Sequence, residues 1–95
     1  MASGGANKFH GSYTGVAALV TVGKCPFQPR VIKFWSASAG VWGLKMADQD
    51  DMATDAYISN SGADAGVTIA ADGFTVASGA DVNPAAAKVY FECED

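Results

Sequence analysis

Asp48, Asp50, Asp51 and Asp55 lie within one short acidic run, ADQDDMATD, and come nearest to chemistry of any residues in this chain. Closely spaced carboxylates can hold a hard cation such as Ca²⁺. The run lacks the alternating Asp/Asn positions, the glycine and the terminal Glu of an EF-hand loop. The four are therefore weak metal candidates, and a solvated acidic loop is the plainer reading. His10 is the only histidine. A triad needs it beside a nucleophile and an acid, with Ser12, Cys25 and the aspartates as the available pool. No G-x-S-x-G or similar setting surrounds any of them, so His10 reads as structural. Two cysteines and one histidine, far apart in sequence, fall short of the three or four ligands of a zinc site. The glycines form neither G-x-G-x-x-G nor a P-loop. No catalytic residue and no cofactor are expected, and the protein reads as non-enzymatic. Trp35, Trp42, Tyr57 and Tyr90 offer flat faces for a sugar ring, although tryptophans on neighbouring strands more often fill a core.

Charge narrows the partners. The net charge is −4, from 10 acidic and 6 basic residues. Lys8, Lys24, Arg30, Lys33, Lys45 and Lys88 are scattered, and phosphate-backbone binding needs clustered cations, so nucleic acid is not an expected partner. Charged residues are only 17% of the chain against about 25% in an average soluble domain. Such a surface leaves neutral area for a partner to cover, which favours an oligomer or a larger assembly. The opening MASGGANKF shows neither the charged start nor the apolar stretch of a secretory signal, and no apolar run approaches a membrane span. The expectation is a chain made in the cytosol, with no membrane partner and with Cys25 and Cys93 as free, buried thiols.

The elements that would carry these residues are strands. Ninety-five residues make one domain. Residues 1–8 read as a flexible arm and 9–95 as one all-β domain. Within the first stretch Ala2, Ser3, Asn7 and Lys8, with Phe9 as apolar anchor, are candidates for ordering against a partner. Strands are expected at Lys8–Tyr13, with Gly11 as a bulge, and at Val16–Val22, a continuous valine-rich run. Others are expected at Arg30–Ser36, central in its sheet, and at Val41–Met46, where Gly43 leaves room for Trp35. The Asp48–Asp55 loop is read as irregular or as one helical turn capped by Asp48 or Thr54. Ala56–Ile58 reads as an edge strand and Ser59–Gly66 as a turn. Val67–Ile69 and Phe74–Val76 form a hairpin, with Asp72-Gly73 as a type I′ turn. Asn83-Pro84 can open a helical turn. In Ala87–Cys93 the alternation points Ala87, Val89, Phe91 and Cys93 inward, and Glu94-Asp95 blunts an edge. The sum is a small antiparallel β-sandwich or partly open barrel of about seven or eight short strands. Its core is expected from Val20, Val31, Ile32, Phe34, Leu44, Ile69, Phe74, Val89 and Phe91.

Three runs carry a family resemblance. Phe27-Gln28-Pro29-Arg30-Val31-Ile32-Lys33, followed by Trp35, resembles the F-x-P-x-x-V/I segments of small β-rich proteins encoded among bacteriophage virion genes. The run GVTIAADGFTV, Gly66 to Val76, is similar to them as well. So is Gly79-Ala80-Asp81-Val82-Asn83, which leads to a closing strand like Val89-Tyr90-Phe91. The likeness covers roughly residues 11–93 and brings no catalytic residues. It implies a structural virion protein that decorates and stabilises the outer surface of a capsid as a cement protein. Its partners would be the major capsid protein and further copies of itself, as a homotrimer. Its place would be the virion surface after synthesis in the host cytoplasm. The alternative is a tail or fibre-tip adhesin, or a small carbohydrate-binding module. A negative chain suits the outside of a shell and would be repelled by packaged DNA.

Overall fold

The computed structural model describes residues 7–95. Nine strands form, all antiparallel to their neighbours: β1 (Lys8–Thr14), β2 (Val20–Val22), β3 (Val31–Ser36), β4 (Val41–Met46), β5 (Ala56–Ser59), β6 (Gly62–Ala65), β7 (Val67–Ala70), β8 (Gly73–Val76) and β9 (Lys88–Glu94). Six make one sheet in the order β1-β9-β3-β4-β5-β6, and three make a second in the order β2-β8-β7. The all-β sandwich read from the sequence is what the chain forms. Among the described residues no helix is long and apolar enough to cross a membrane.

Alternation builds the interior. In β3 the even residues Ile32, Phe34 and Ser36 are buried, and in β9 the odd residues Val89, Phe91 and Cys93 are. Phe34 and Phe91 are register partners, so their rings stand side by side on the inner face. Phe74 of the small sheet inserts between them, edge-on to both, at 5.4 Å from Phe34 and 5.2 Å from Phe91. Val67, Val76, Val82 and Tyr57 complete the cluster. Of the expected core, Ile32, Phe34, Phe74, Val89 and Phe91 are buried, while Val20 and Ile69 pack against its margin.

Several local expectations are corrected. Val31 and Leu44 are half-buried on the outer face. The inward side of β4 is Val41, Gly43 and Lys45, because Val82 and Tyr57 fill the space over Gly43; a Cβ there would lie 2.7 Å from Val82 Cγ1. Gly43 therefore makes room for Val82 and Tyr57, not for Trp35. The run Val16–Val22 forms a strand only from Val20. Buried Asn83 takes the backbone before it: Val16 N–H donates to Asn83 Oδ1 at 2.8 Å, and Asn83 Nδ2 donates to Ala18 O at 2.9 Å. Val16 and Leu19 are left exposed.

The hairpin turn is Ala71-Asp72, since Ala70 pairs with Gly73. Neither turn residue has positive φ, so it is not type I′. Gly73 is needed for close approach, because a Cβ there would sit 1.9 Å from Val22 O. β5 is not an edge, since β6 pairs with it where a turn was expected. Gly11 lies in unbroken register, without a bulge, beneath the Phe91 ring. The turn Asp50–Met52 is a 3-10 turn preceded by Gln49, with no side-chain cap from Asp48 or Thr54. Asn83-Pro84 opens one hydrogen-bonded turn, Ala87 N–H to Pro84 O at 3.2 Å, and no helix. Glu94 lies between β1 and β3, away from any edge.

Asn7 and Lys8, placed in the arm by sequence, belong to the domain. Asn7 Nδ2 donates to Asp95 Oδ2 at 2.6 Å, and Lys8 opens β1 opposite Glu94. Phe9 packs on this chain's own Phe91, at 5.9 Å between ring centroids. Ala2 and Ser3 lie outside the described residues.

Candidate functional site

The outward residues of the large sheet make one face. Tyr90, Trp35 and Trp42 are direct register partners on β9, β3 and β4. They form a line across the strands, with Ser12 beyond Tyr90 at one end. At the other end Asn60 Oδ1 accepts from Trp42 N–H at 3.2 Å. Trp35 is 46% exposed, Trp42 49% and Tyr90 40%. Trp35 and Tyr90 stack at 6.0 Å with an angle of 19° between the rings. The parity that buries Ile32, Phe34 and Phe91 is what pushes these three rings out.

Behind the aromatic line the face stays apolar on one side and becomes charged on the other. Leu44 has Lys33 and Ile58 as register partners, and Val31 pairs with Met46. Leu44, Ile58, Val31 and Met46 are all half-buried. Toward β9 two lysines face two glutamates: Lys33 Nζ lies 3.2 Å from Glu94 and 4.0 Å from Glu92, and Lys88 Nζ lies over the Tyr90 ring at 5.3 Å. The result is a nearly neutral patch with an aromatic line and a polar margin, the composition of an interface core. Tyr57 is not part of it. It points the other way from β5 and is 1% exposed.

The residues singled out for chemistry do not assemble. His10 stands exposed on the outer face of β1 opposite Glu92. Cys25 and Cys93 are free and buried on the inner side. Asp48 pairs with Arg30, both exposed. Among the described residues no three His, Cys, Asp or Glu side chains cluster as metal ligands.

The acidic loop is instead organised by a lysine. Lys45 is 2% exposed, and its Nζ donates to Met52 O at 2.9 Å, Thr54 O at 2.9 Å and Ala56 O at 2.8 Å. Burial pulls its pKa below the ordinary lysine value, and Asp55 opposes that pull. Three acceptors match the three donors of an ammonium; a neutral amine with two could not serve them all. The ammonium thus sits where a loop cation would. Neither EDTA nor added Ca²⁺ is expected to move the melting temperature. A drop of several degrees in EDTA, restored by Ca²⁺, would make the aspartates a metal site. A cleft beside this loop, about 490 Å³, is lined by Gln28, Arg30, Lys45, Asp48, Thr54 and Ile69. Its cations are already engaged by these partners.

A second polar cluster escaped sequence reading. Tyr57 Oη donates to Asp64 Oδ2 at 2.6 Å and accepts from Val82 N–H at 3.3 Å. Asp81 N–H donates to the same Asp64 oxygen at 2.9 Å, and Ser59 Oγ donates to Asp81 Oδ2 at 2.7 Å. Burial pushes the Tyr57 phenol up, and its bond to Asp64 pushes it further. Burial works against the Asp64 carboxylate, but the Tyr57, Asp81 and Ala65 donors outweigh it and hold its pKa below the usual range. Every buried polar side-chain atom in the described residues has a partner. The cluster therefore locks the 77–86 loop to β5 and β6. A folded pKa below the unfolded one gives stability that is present above about pH 4 and lost as pH falls through the folded value. Asp64→Asn is expected to flatten the acid limb of the melting curve below about pH 4. An unchanged acid limb would assign it to other carboxylates.

No family model, curated protein or solved structure matches this chain.

Proposed function

We propose that this is a non-enzymatic structural protein of a bacteriophage virion, which binds the outer surface of the capsid through the outer face of its six-stranded sheet. The observation that carries the reading is the exposed line Tyr90-Trp35-Trp42, backed by Leu44, Ile58, Val31 and Met46. Exposed aromatic residues on a nearly neutral face are what a protein partner desolvates with most gain. The net charge of −4 and the runs around Pro29–Trp35 and Gly73–Val76 favour the same setting. The partner is the major capsid protein, with further copies of this chain, as a trimer, around each site.

Purified protein mixed with undecorated expanded capsids is expected to bind saturably. Trp35→Ala and Trp42→Ala are each expected to weaken that binding about 30-fold or more, as central aromatic anchors do. Both positions are about half exposed, so the melting temperature should move by only a few degrees. Failure of the wild-type protein to bind such capsids would overturn the reading. The in-line aromatic rings also favour a second reading, a sugar platform on a fibre tip. Tryptophan fluorescence that shifts on titration with a glycan, together with absent capsid binding, would move the assignment there.

A further inference from the structure

β1 is an edge of the six-stranded sheet, with β9 on one side and no described strand on the other. Just beyond its two ends, Asn7 O accepts from Asp95 N–H at 3.4 Å and Gly15 N–H donates to Ala87 O at 2.8 Å. The register runs unbroken between them. Antiparallel bonding alternates along a strand, so the odd residues Phe9, Gly11 and Tyr13 turn their main-chain groups toward β9. The even residues Lys8, His10, Ser12 and Thr14 turn theirs outward, a row of backbone donors and acceptors along the whole edge. Proteins blunt such an edge with a proline, a bulge or short length. β1 has 7 residues, no proline and no bulge, and its one lysine stands at the end. The other edges, β2, β6 and β7, have only 3, 4 and 4 residues.

We propose that this edge pairs with the same edge of a second copy, antiparallel about a two-fold axis at Gly11. The strand is self-complementary in that register. Lys8 meets Thr14 across the axis and His10 meets Ser12, so no like charges face each other. As hydrogen-bonded pairs these residues use every outward N–H and C=O of both strands. A shift of two residues either way leaves the last outward residue without a partner in the strand. On the inner side Phe9 meets Tyr13 and Gly11 meets Gly11. Both rings are half-buried at the margin of the core, where each packs on Phe91. Pairing therefore carries the apolar interior across the axis. A strand of 7 residues is well below the roughly 20–30 residues a side of a standard interface, so the dimer is weak and depends on local concentration. A two-fold contact does not close a ring of three; on a capsid it would join a chain of one trimer to a chain of the next. The edge pairs without any capsid, so its failure would leave the capsid reading standing.

The test is sedimentation of the purified full chain from micromolar to millimolar concentration. A reversible monomer–dimer equilibrium is expected, with a melting temperature that rises with concentration. Ser12→Pro removes one outward N–H from each strand and none that β9 uses. It is expected to weaken the dimer about 30-fold or more. Ser12→Ala keeps that N–H and should dimerise as the wild type does. Thr14→Glu sets a carboxylate opposite Lys8 at both ends of the pairing and should tighten the dimer about threefold or more, while Thr14→Lys should loosen it by a similar factor. Thr14 is exposed, so these two variants test the register whether or not the proline variant folds. A chain that stays monomeric at millimolar concentration would overturn the pairing. So would a dimer that forms only once residues 1–6 are removed, an assembly untouched by Ser12→Pro, or one indifferent to charge at position 14.

Discussion

Phe74→Ala is expected to cost about 3–5 kcal/mol, the range for a fully buried phenylalanine whose site cannot collapse. Phe74 is 0% exposed. Its ring meets Phe34 at 90°, Phe91 at 81° and Tyr13 at 65°. It is the point at which the three-stranded sheet grips the six-stranded one. The small sheet is short, with β2 3 residues long and β7 and β8 4 each, so few side chains share that grip, Val67 and Val76 chief among them. Folded domains of this size hold only about 5–15 kcal/mol in total. The variant should sit near the edge of its stability, with a sharply lower urea midpoint. Phe34→Ala falls in the same range, at 2% exposure. Phe9→Ala is the control: Phe9 is half-buried at the sheet margin and touches Phe91 alone among the rings. Its loss should be about 1–2 kcal/mol. A Phe74→Ala loss no larger than the Phe9→Ala loss would mean that the sheets are held mainly by Val67, Val76 and Val82.

The final strand was legible from its alternation: KVYFECE puts Val89, Phe91 and Cys93 on one parity, and that parity is buried. RVIKFWS carries apolar residues on both parities, which reads as a central strand, and β3 lies between β9 and β4. β4 was not legible, because VWGLKM carries apolar residues on both parities. Hydropathy chooses Trp42, Leu44 and Met46 as its core side. The sheet chooses Gly43 and Lys45, because Val82 and Tyr57 already occupy the interior there. β6 was invisible for the opposite reason. GADA has no β-forming residue and becomes a strand only by pairing with β5. Val16–Leu19 has every local mark of a strand and is diverted by one side chain, Asn83, far along the chain. The candidate site was half legible. Trp35, Trp42 and Tyr90 were identifiable as residues, but their alignment depends on the β9-β3-β4 order, which no local pattern encodes. Tyr57 was grouped with them because a tyrosine's ring says nothing of which side of its strand faces water.

Lys45→Met is expected to cost about 3–5 kcal/mol, comparable with the loss of a core aromatic ring. Methionine keeps the apolar stem and the volume and removes the ammonium. Met52 O, Thr54 O and Ala56 O would then lose their shared donor. A buried carbonyl left without a partner costs about 1–3 kcal/mol, and water entering from the adjacent cleft recovers part of that. Thr54, held at φ +59°, is the strained point of the loop. With the ammonium gone, that strain has no counterweight, so residues 47–55 should open first. Limited proteolysis is expected to cut the variant in this stretch while β3, β4 and β9 stay protected from hydrogen exchange. The outer aromatic line should be unaffected, because Trp42 lies on the opposite parity of the same strand. Lys45→Arg provides a second measurement. Its guanidinium retains the charge but cannot aim three donors from one nitrogen at a three-carbonyl cage, so stability should recover only in part. If Lys45→Met melted like the wild type and its loop stayed uncut, the carbonyls would have another source of hydrogen bonds. The acidic loop would then be free to take a cation of its own.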